Sequence, residues 1–457
     1  MENNNNINII NIQENKFINI NKKKSENILR VLQFNILAQS LLQQSIRLSN
    51  KNLLETNKFF KWEFRMELII QIIKQLNCDL ICFQEFENES KFNSKLNELN
   101  YSIIFKKRPG KEKKEGCAIL FSNKKFTLVK KYELEFNIEN FNHNIYNKEN
   151  VCLFLILKNI KNNKHYLIIN SHILYNHSRG DIKLAQVFQI FNCIEIIKEK
   201  FNNFDLNIIF CCDLNCTYNS VVYNYITNDN IYCKDLDIKL MSGQFNTFYK
   251  LGNETEFYFK LKNIKKLKYK DFITDNEKNK LNLDLILNTY PVIIEDDSKI
   301  ILNLIIDYKS NNNNLNKNNK NNNKNNNNNN LNKNNNNNNN NLNNNNNNNL
   351  NNNNNNLNIN NKNINNLNNN NNNNNYYLKN NNPLKSAYLT ITSKEPLMTY
   401  YNPGNVGTFD FIFHSSNLFP IQCLKIPYPL NFIFEKNKII PDKKNPSDHF
   451  PLCVDFI

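Results

Sequence analysis

Short apolar runs separated by polar turns recur through most of the chain, and their spacing switches between two periods. Arg30-Val31-Leu32-Gln33-Phe34-Asn35 reads as a strand, followed by a turn and short helix over 36–45. From Trp62 to Leu76 the apolar residues Leu68, Ile69, Ile72, Ile73 and Leu76 fall at helical spacing. Continuous apolar runs with polar ends predict buried strands at Asp79–Glu85, Gly116–Phe121, Val151–Leu157, Tyr166–Ile169, Leu206–Cys212, Thr408–Phe413 and Leu452–Phe456. Lys91–Leu99 and Gln186–Lys200 read as helices, the second burying Phe188, Ile190, Ile194 and Ile197. Strands alternate with helices in the first half and dominate later. That order calls for α and β elements in layers, with sheets in the middle.

Two stretches break the pattern. Residues 1–27 form an Asn/Lys/Ile-rich tail, without the apolar core and small-residue cleavage site of a signal peptide. From 311 to 382 the chain is almost all Asn, which lacks the apolar periodicity needed to offset its ordering entropy, so a disordered insertion is expected. The remainder, 383–457, holds core strands but is short for a separate domain. The expected organisation is therefore one catalytic domain in two parts, 28–310 and 383–457. A long insertion in a surface loop costs little, because closure entropy grows slowly with length.

Composition changes this picture only modestly. The formal charge is +16 and the pI about 9.1, but Lys is frequent along with Asn and Ile throughout, so the basic balance is a weak pointer to nucleic acid. No apolar run is long enough to span a bilayer, so no membrane partner is expected. The 11 cysteines are odd in number, contain no Cys-x-x-Cys pair, and several (Cys82, Cys117, Cys152, Cys193, Cys211) sit inside apolar runs. They read as core thiols in a reducing compartment, which points to the cytoplasm, with the nucleus as a second location. Cys212 and Cys216 lack the second Cys/His pair of a tetrahedral zinc site.

The polar residues that end or interrupt apolar runs are Asn35, Glu85, His172, Asp213, Asn215, Asp410, Asp448 and His449. Each has a bland reading: Glu85 as a solvated turn residue, His172 as a structural histidine, Asp213-Leu214-Asn215 as a helix cap, Asp448-His449 as a turn after Pro446. Asp410 is harder to dismiss, because a carboxylate inside Phe409-Asp410-Phe411-Ile412-Phe413 is costly without a partner such as His449. Taken together, carboxylate and amide oxygens suit magnesium. Neutral amides can hold a phosphate oxygen, a histidine oriented by a carboxylate can donate to developing phosphorane charge, and a second carboxylate can orient or deprotonate water. The set describes metal-assisted attack of water on a phosphate ester.

These residues sit in motifs that resemble the endonuclease/exonuclease/phosphatase superfamily, in the group of the carbon-catabolite-repressor deadenylases, nocturnin and Angel. The motifs are Val31-Leu32-Gln33-Phe34-Asn35-Ile36-Leu37-Ala38-Gln39, Trp62-Glu63-Phe64-Arg65, Phe83-Gln84-Glu85 and Glu115-Gly116-Cys117-Ala118. Tyr175-Asn176 through Arg179-Gly180-Asp181-Ile182-Lys183-Leu184-Ala185-Gln186 is Angel-like. The resemblance covers nearly all of the chain between the tail and the end, apart from the Asn tract. It implies an α+β fold, a four-layer α/β sandwich with two packed mixed β-sheets flanked by helices.

By position, the resemblance makes Asn35 and Glu85 the magnesium-site pair, with Asp213 and Asp448 also on the metal side and manganese as an alternative ion. His172 becomes the phosphate-contacting histidine. Asp213 and Asn215 handle water or metal and the scissile phosphate, and Asp410 supports the closing histidine, His449. Where the family has Gly-Asp-Phe-Asn-Ser, this chain has Cys212-Asp213-Leu214-Asn215-Cys216, which would strain the backbone if position 212 needed positive φ. Ser171 replaces the usual Thr, and Phe411 the usual Tyr.

For this branch the resemblance implies an RNA 3′-end substrate and either 3′-to-5′ exonuclease or deadenylase chemistry. The alternative activity is removal of a 2′,3′-cyclic phosphate. Lys106, Lys107 and Arg108 would suit a phosphate backbone, or else form a solvated loop. Tyr175, Tyr400 and Tyr401 could stack on a base, or simply pack. A non-catalytic RNA-binding or translation adaptor is the competing class. No tyrosine is followed by the Tyr-x-x-x-x-Leu spacing with which some Angel-like proteins bind the cap-binding factor, and no leucine-rich-repeat docking segment is recognisable, so protein partners stay unassigned.

Overall fold

The structure, a computed structural model, describes residues 18–19, 28–49, 57–136, 148–202, 205–244, 269–287, 289, 292–295, 298–301, 376–402, 405–426 and 439–457. Two large mixed sheets carry the fold. The first runs, strand by strand, Ile18–Asn19, Pro420–Cys423, Leu452–Phe456, Leu29–Asn35, Leu80–Glu87, Glu115–Ser122, Tyr101–Lys107. The second runs Ser298–Ile301, Val292–Glu295, Phe126–Glu135, Val151–Asn159, His165–His172, Leu206–Asp213, Asp410–His414, Lys385–Ser386. Each has one parallel pair at its centre, Leu29–Asn35 with Leu80–Glu87 and His165–His172 with Leu206–Asp213; the other pairings are antiparallel.

The apolar runs explain the layering. Both faces of the central strands are covered, so their sequences are continuously hydrophobic instead of alternating. Val31, Leu80, Cys82 and Ile119 meet Leu153, Leu155, Ile168 and Ile209 between the sheets. The intervening residues Leu32, Phe34, Ile81 and Phe83 point the other way, onto Met66, Ile69, Ile70 and Ile73 of the helix Trp62–Leu76. On the far side, Ile169, Phe210 and Phe154 pack against Ile182, Phe188, Ile190 and Ile194 of the helix Gly180–Lys200. Helix, sheet, sheet, helix is the four-layer order expected, and all 11 cysteines are buried and free.

Several boundaries differ from the sequence reading. The helix expected from Gln186 begins at Gly180, because its first turns carry the buried polar residues Asp181, Lys183 and Gln186, which hide its apolar face. The strands Tyr101–Lys107 and Phe126–Glu135 were not anticipated; both carry partly exposed polar positions near sheet edges. The end of the expected insertion is ordered, since Tyr377–Lys379 pairs with Asn230–Tyr232 and buries Leu378. Residues 311–375, and 1–27 apart from Ile18–Asn19, lie outside the described residues. Among the described residues no helix is long and apolar enough to cross a membrane.

Candidate active site

The two parallel pairs end on the same side of the sandwich, and the candidate residues gather there. Crevices beyond the carboxyl ends of parallel strands are where such sheets hold ligands. In the second sheet His172, Asp213 and Asp410 form one row, His172 paired in register with Asp213 and Asp213 with Asp410. In the first sheet Asn35 lies beside Gln84. Glu85 is delivered by a β-bulge: between Phe83 and Phe86 the register with the neighbouring strand shifts by one residue, and Glu85 takes φ 56°. A bulge re-aims a side chain in this way. Opposite it, Gly116 approaches so closely that an added Cβ would stand 2.0 Å from the Lys106 carbonyl oxygen. Leu37 (φ 56°) and Asn215 (φ 47°) share the left-handed conformation. Such outliers cluster where a site over-determines its backbone.

Asn35 links the two sheets. Its Nδ2 donates to Glu85 Oε1 (3.1 Å) and to Asp213 Oδ2 (2.9 Å), while its Oδ1 accepts from Leu37 N–H (3.0 Å). Glu85 Oε2 accepts from Ala38 N–H (2.9 Å). Ser447 Oγ donates to the Asn35 carbonyl (2.8 Å), which brings the closing loop with Asp448 and His449 onto the strand end. His449 Nδ1 meets Asp410 Oδ2 at 2.8 Å, its Nε2 lies 3.6 Å from Asp213 Oδ2, and Tyr400 packs on its ring at 4.9 Å. His172 Nε2 lies 2.9 Å from Asn215 Nδ2 and 3.5 Å from Asp213 Oδ2. Asp213 thus stands between both histidines.

Burial and charge set the protonation states. Burial pushes the Asp213 carboxyl up to about 6, with nearby Asp410 adding to it. Burial also raises Glu85 and Asp448, Asp448 contributing to the first and Asp213 to the second. Burial lowers His172 to about 4, and the Arg108 guanidinium acts in the same direction, so this imidazole is neutral at physiological pH. Burial disfavours a charge on His449 as well, but Asp410 and Asp213 outweigh it and hold its pKa well above 6.5. The pocket therefore holds more carboxylate than cation, an arrangement completed by a hard divalent ion.

Glu85, Asp448 and Asp213 bring hard carboxylate oxygens to this pocket, whereas Asn35 turns its Nδ2 toward Glu85 and Asp213 and would offer Oδ1 to an ion only by turning its amide. Asp213, Asp410 and His449 also lie within chelating distance of one another. Asp410 is already committed, however: Oδ1 accepts from Gln33 Nε2 (2.9 Å), and Oδ2 from Thr399 Oγ1 (2.6 Å) and His449. His449 is thereby hydrogen-bonded to Asp410 while its Nε2 stands 3.6 Å from Asp213 Oδ2.

Sequence reasoning missed the residues that hold this arrangement. Gln33 Nε2 also donates to Gln84 Oε1 (2.8 Å), Gln84 Nε2 to Asn170 Oδ1 (2.7 Å), and Asn170 Nδ2 to the Phe83 and Ala118 carbonyls. This buried amide chain stitches the sheets together beneath the site. The signal was present: each is a polar residue inside an apolar run, expensive unless paired, as argued for Asp410. Arg65 is fully buried and donates to the Ile36, Leu37 and Pro446 carbonyls (2.9, 2.7 and 2.9 Å), tying the metal-side strand end to the closing loop. Burial lowers its guanidinium to about 10, so it stays charged at neutral pH.

The basic run divides. Lys106 is ion-paired with Glu133 (2.9 Å) and Glu135 (2.6 Å), and Lys107 Nζ donates to the Arg108, Gly110 and Lys113 carbonyls. Arg108, held by Glu115 Oε1 (2.9 Å) and the Glu149 carbonyl (2.8 Å), acts on the site through its field on His172. Tyr401 packs in a small core with Met398 and Val406, whereas Tyr175 is 67% exposed; partial burial of its hydroxyl raises the phenol, and Asp448 and Asp213 add to that. Cys212 lies in regular strand pairing opposite Phe411, without positive φ, so the family's glycine is not needed there.

Residues 32–279 match the model of the Endonuclease/Exonuclease/phosphatase family. The chain is 30% identical over 190 residues to carbon catabolite repressor protein 4 homolog 3 of Arabidopsis thaliana, covering 41% of this chain and 40% of that protein. It is 30% identical over 220 residues to human protein angel homolog 2, covering 47% and 39%. The match thus spans about two-fifths of these relatives' length. The solved structure of ANGEL2, described as a 2′,3′-cyclic phosphatase, superposes with a TM-score of 0.62 at 20% identity, covering 96% of this chain and 97% of that one. The human nocturnin catalytic domain gives 0.50 at 15%, covering 98% of each. These likenesses establish the fold. Members of the matched family typically depend on a divalent metal, in keeping with the carboxylate-rich pocket. The chain belongs to the endonuclease/exonuclease/phosphatase family.

Proposed function

We propose that this site hydrolyses phosphate esters at RNA 3′ ends with magnesium as its metal, acting as a 3′-to-5′ exoribonuclease or deadenylase. The observation that carries the reading is Asp213, placed 3.5 and 3.6 Å from two histidines of opposite protonation preference. Glu85, Asp448, Asn35 and Asp213 would hold the ion, which when bound supplies Lewis-acid polarisation of the phosphate and neutralises its charge. Asp213, standing between the two histidines, is placed to orient and deprotonate the attacking water. Charged His449, aligned by Asp410, donates toward the phosphate oxygen on which charge develops. Neutral His172 and the Asn215 amide meet at 2.9 Å, and a phosphate oxygen would enter at that contact and accept from Asn215.

A second reading, opening of a 2′,3′-cyclic phosphate, is favoured by the likeness to ANGEL2, whose structure carries that activity in its description. Both reactions use the same water, base and phosphate contacts. Purified protein with magnesium should be given oligoadenylate and an RNA ending in a 2′,3′-cyclic phosphate side by side. Progressive shortening supports the first reading and loss of the cyclic phosphate alone the second. RNA binding with neither reaction would support an adaptor instead. Cytoplasmic placement, with the nucleus in addition, accompanies this proposal and rests on the free cysteines.

A further inference from the structure

The segment Arg179–Gln186 stands out in the sequence, yet none of its residues reaches the reacting groups. It forms the first turns of the helix Gly180–Lys200. Lys183 is fully buried there, and its ammonium donates to the carbonyl of Asn215 and, at 3.5 Å, to that of Tyr175. One turn on, buried Gln186 accepts from Leu174 N–H (3.0 Å) and donates to Asn150 Oδ1 (3.2 Å). Asn150 in turn donates to the His172 carbonyl (2.9 Å). The helix start cannot slide, because Gly180 N–H donates to the Ile238 carbonyl (2.9 Å) and an added Cβ would stand 2.4 Å from Met241 Cβ.

Burying an ammonium costs several kcal/mol unless it is well paired, and methionine would fill similar volume without that cost. Packing therefore does not account for Lys183. Asn215 stands in the left-handed region at φ 47°, which asparagine adopts more readily than most residues, and its carbonyl is the acceptor that Lys183 fills.

We propose that Lys183 and Gln186 are positioning residues that fix the contact between His172 and Asn215. Lys183 grips the Asn215 side through its carbonyl, and Gln186 grips the His172 side through Leu174 and Asn150. One rigid helix turn thereby sets the distance between two phosphate-contacting groups carried on different strand ends. The proposal rests on the reading of the site as an RNA phosphoesterase.

The test compares Lys183→Met and Gln186→Met with the wild type on the RNA end that the wild type turns over. The expected result is a kcat lower by roughly 10- to 100-fold, the range for outer partners of active-site groups, with KM within about 3-fold. Histidine-selective ¹⁵N NMR is the independent readout: the His172 imidazole signals shift in both variants and those of His449 do not. A folded variant with wild-type kcat and unmoved His172 signals overturns the proposal, as does a loss of activity that only tracks loss of folded protein. If Lys183→Met does not fold, Gln186→Met decides by the same criteria. If the wild type turns over neither RNA end, the phosphoesterase reading fails, and the His172 signals still decide the positioning claim.

Discussion

Asp410 shows how the site's chemistry is set residue by residue. Both its oxygens are filled by Gln33, Thr399 and His449, and its charge holds the His449 imidazole protonated while raising the neighbouring Asp213 carboxyl. Asp410→Asn keeps the shape and removes that charge. The expected outcome is a fall in kcat of roughly 100-fold or more, the usual weight of an aligned proton-transfer group, with little change in KM. Lys106 gives the opposite expectation. Its ammonium is neutralised by Glu133 and Glu135, so it offers little free charge to a phosphate backbone, and Lys106→Met should leave KM for RNA within about 2-fold. Steady-state kinetics on the two variants separates these outcomes. The eight polar residues at strand ends were legible because an apolar run makes a polar residue conspicuous. Gln33, Gln84 and Asn170 carry the same signal, but each also has a partner on the other sheet, and that pairing follows only from the fold.

Among the elements, those with continuous apolar runs were legible and those with mixed polarity were not. Leu452–Phe456 and Trp62–Leu76 fall where periodicity places them, whereas Phe126–Glu135 is strand because its neighbours pair with it. The Glu85 bulge has no signature of its own, since Phe83-Gln84-Glu85 reads as ordinary strand. Buried chemistry also ties elements together away from the site. Glu395, beyond the helix Ala387–Thr392, accepts from the Tyr223 hydroxyl (2.6 Å) on the helix Val221–Thr227. Burial raises its carboxyl to about 6 from the ordinary 4.5. The folded state therefore holds this proton more tightly than the unfolded chain. Its contribution to stability is greatest below pH 4.5 and falls as pH rises to 6, a penalty of about 2 kcal/mol above that window. Glu395→Gln keeps an acceptor for Tyr223 and removes the titration. It should raise the thermal midpoint at pH 7.5 and flatten its pH dependence between pH 4.5 and 6, read by calorimetry across pH.

Over the whole molecule, the two sheets each bring half of a site that neither holds alone. Asn35 and Glu85 come from the first, His172, Asp213 and Asp410 from the second, and the closing loop adds Asp448 and His449. The amide chain below and Arg65 beside it keep the halves in register, so the catalytic geometry depends on sandwich assembly more than on any one strand. The central claim is that this seam carries out metal-assisted hydrolysis of a phosphate ester at an RNA 3′ end. Its most direct test measures release of the terminal phosphoester product from such RNA by metal-stripped protein, before and after magnesium is restored, beside the Asp213→Ala and His449→Ala variants. The account predicts turnover only with magnesium and only in the wild type. Turnover that persists in Asp213→Ala, or none in wild type with magnesium present, would contradict it.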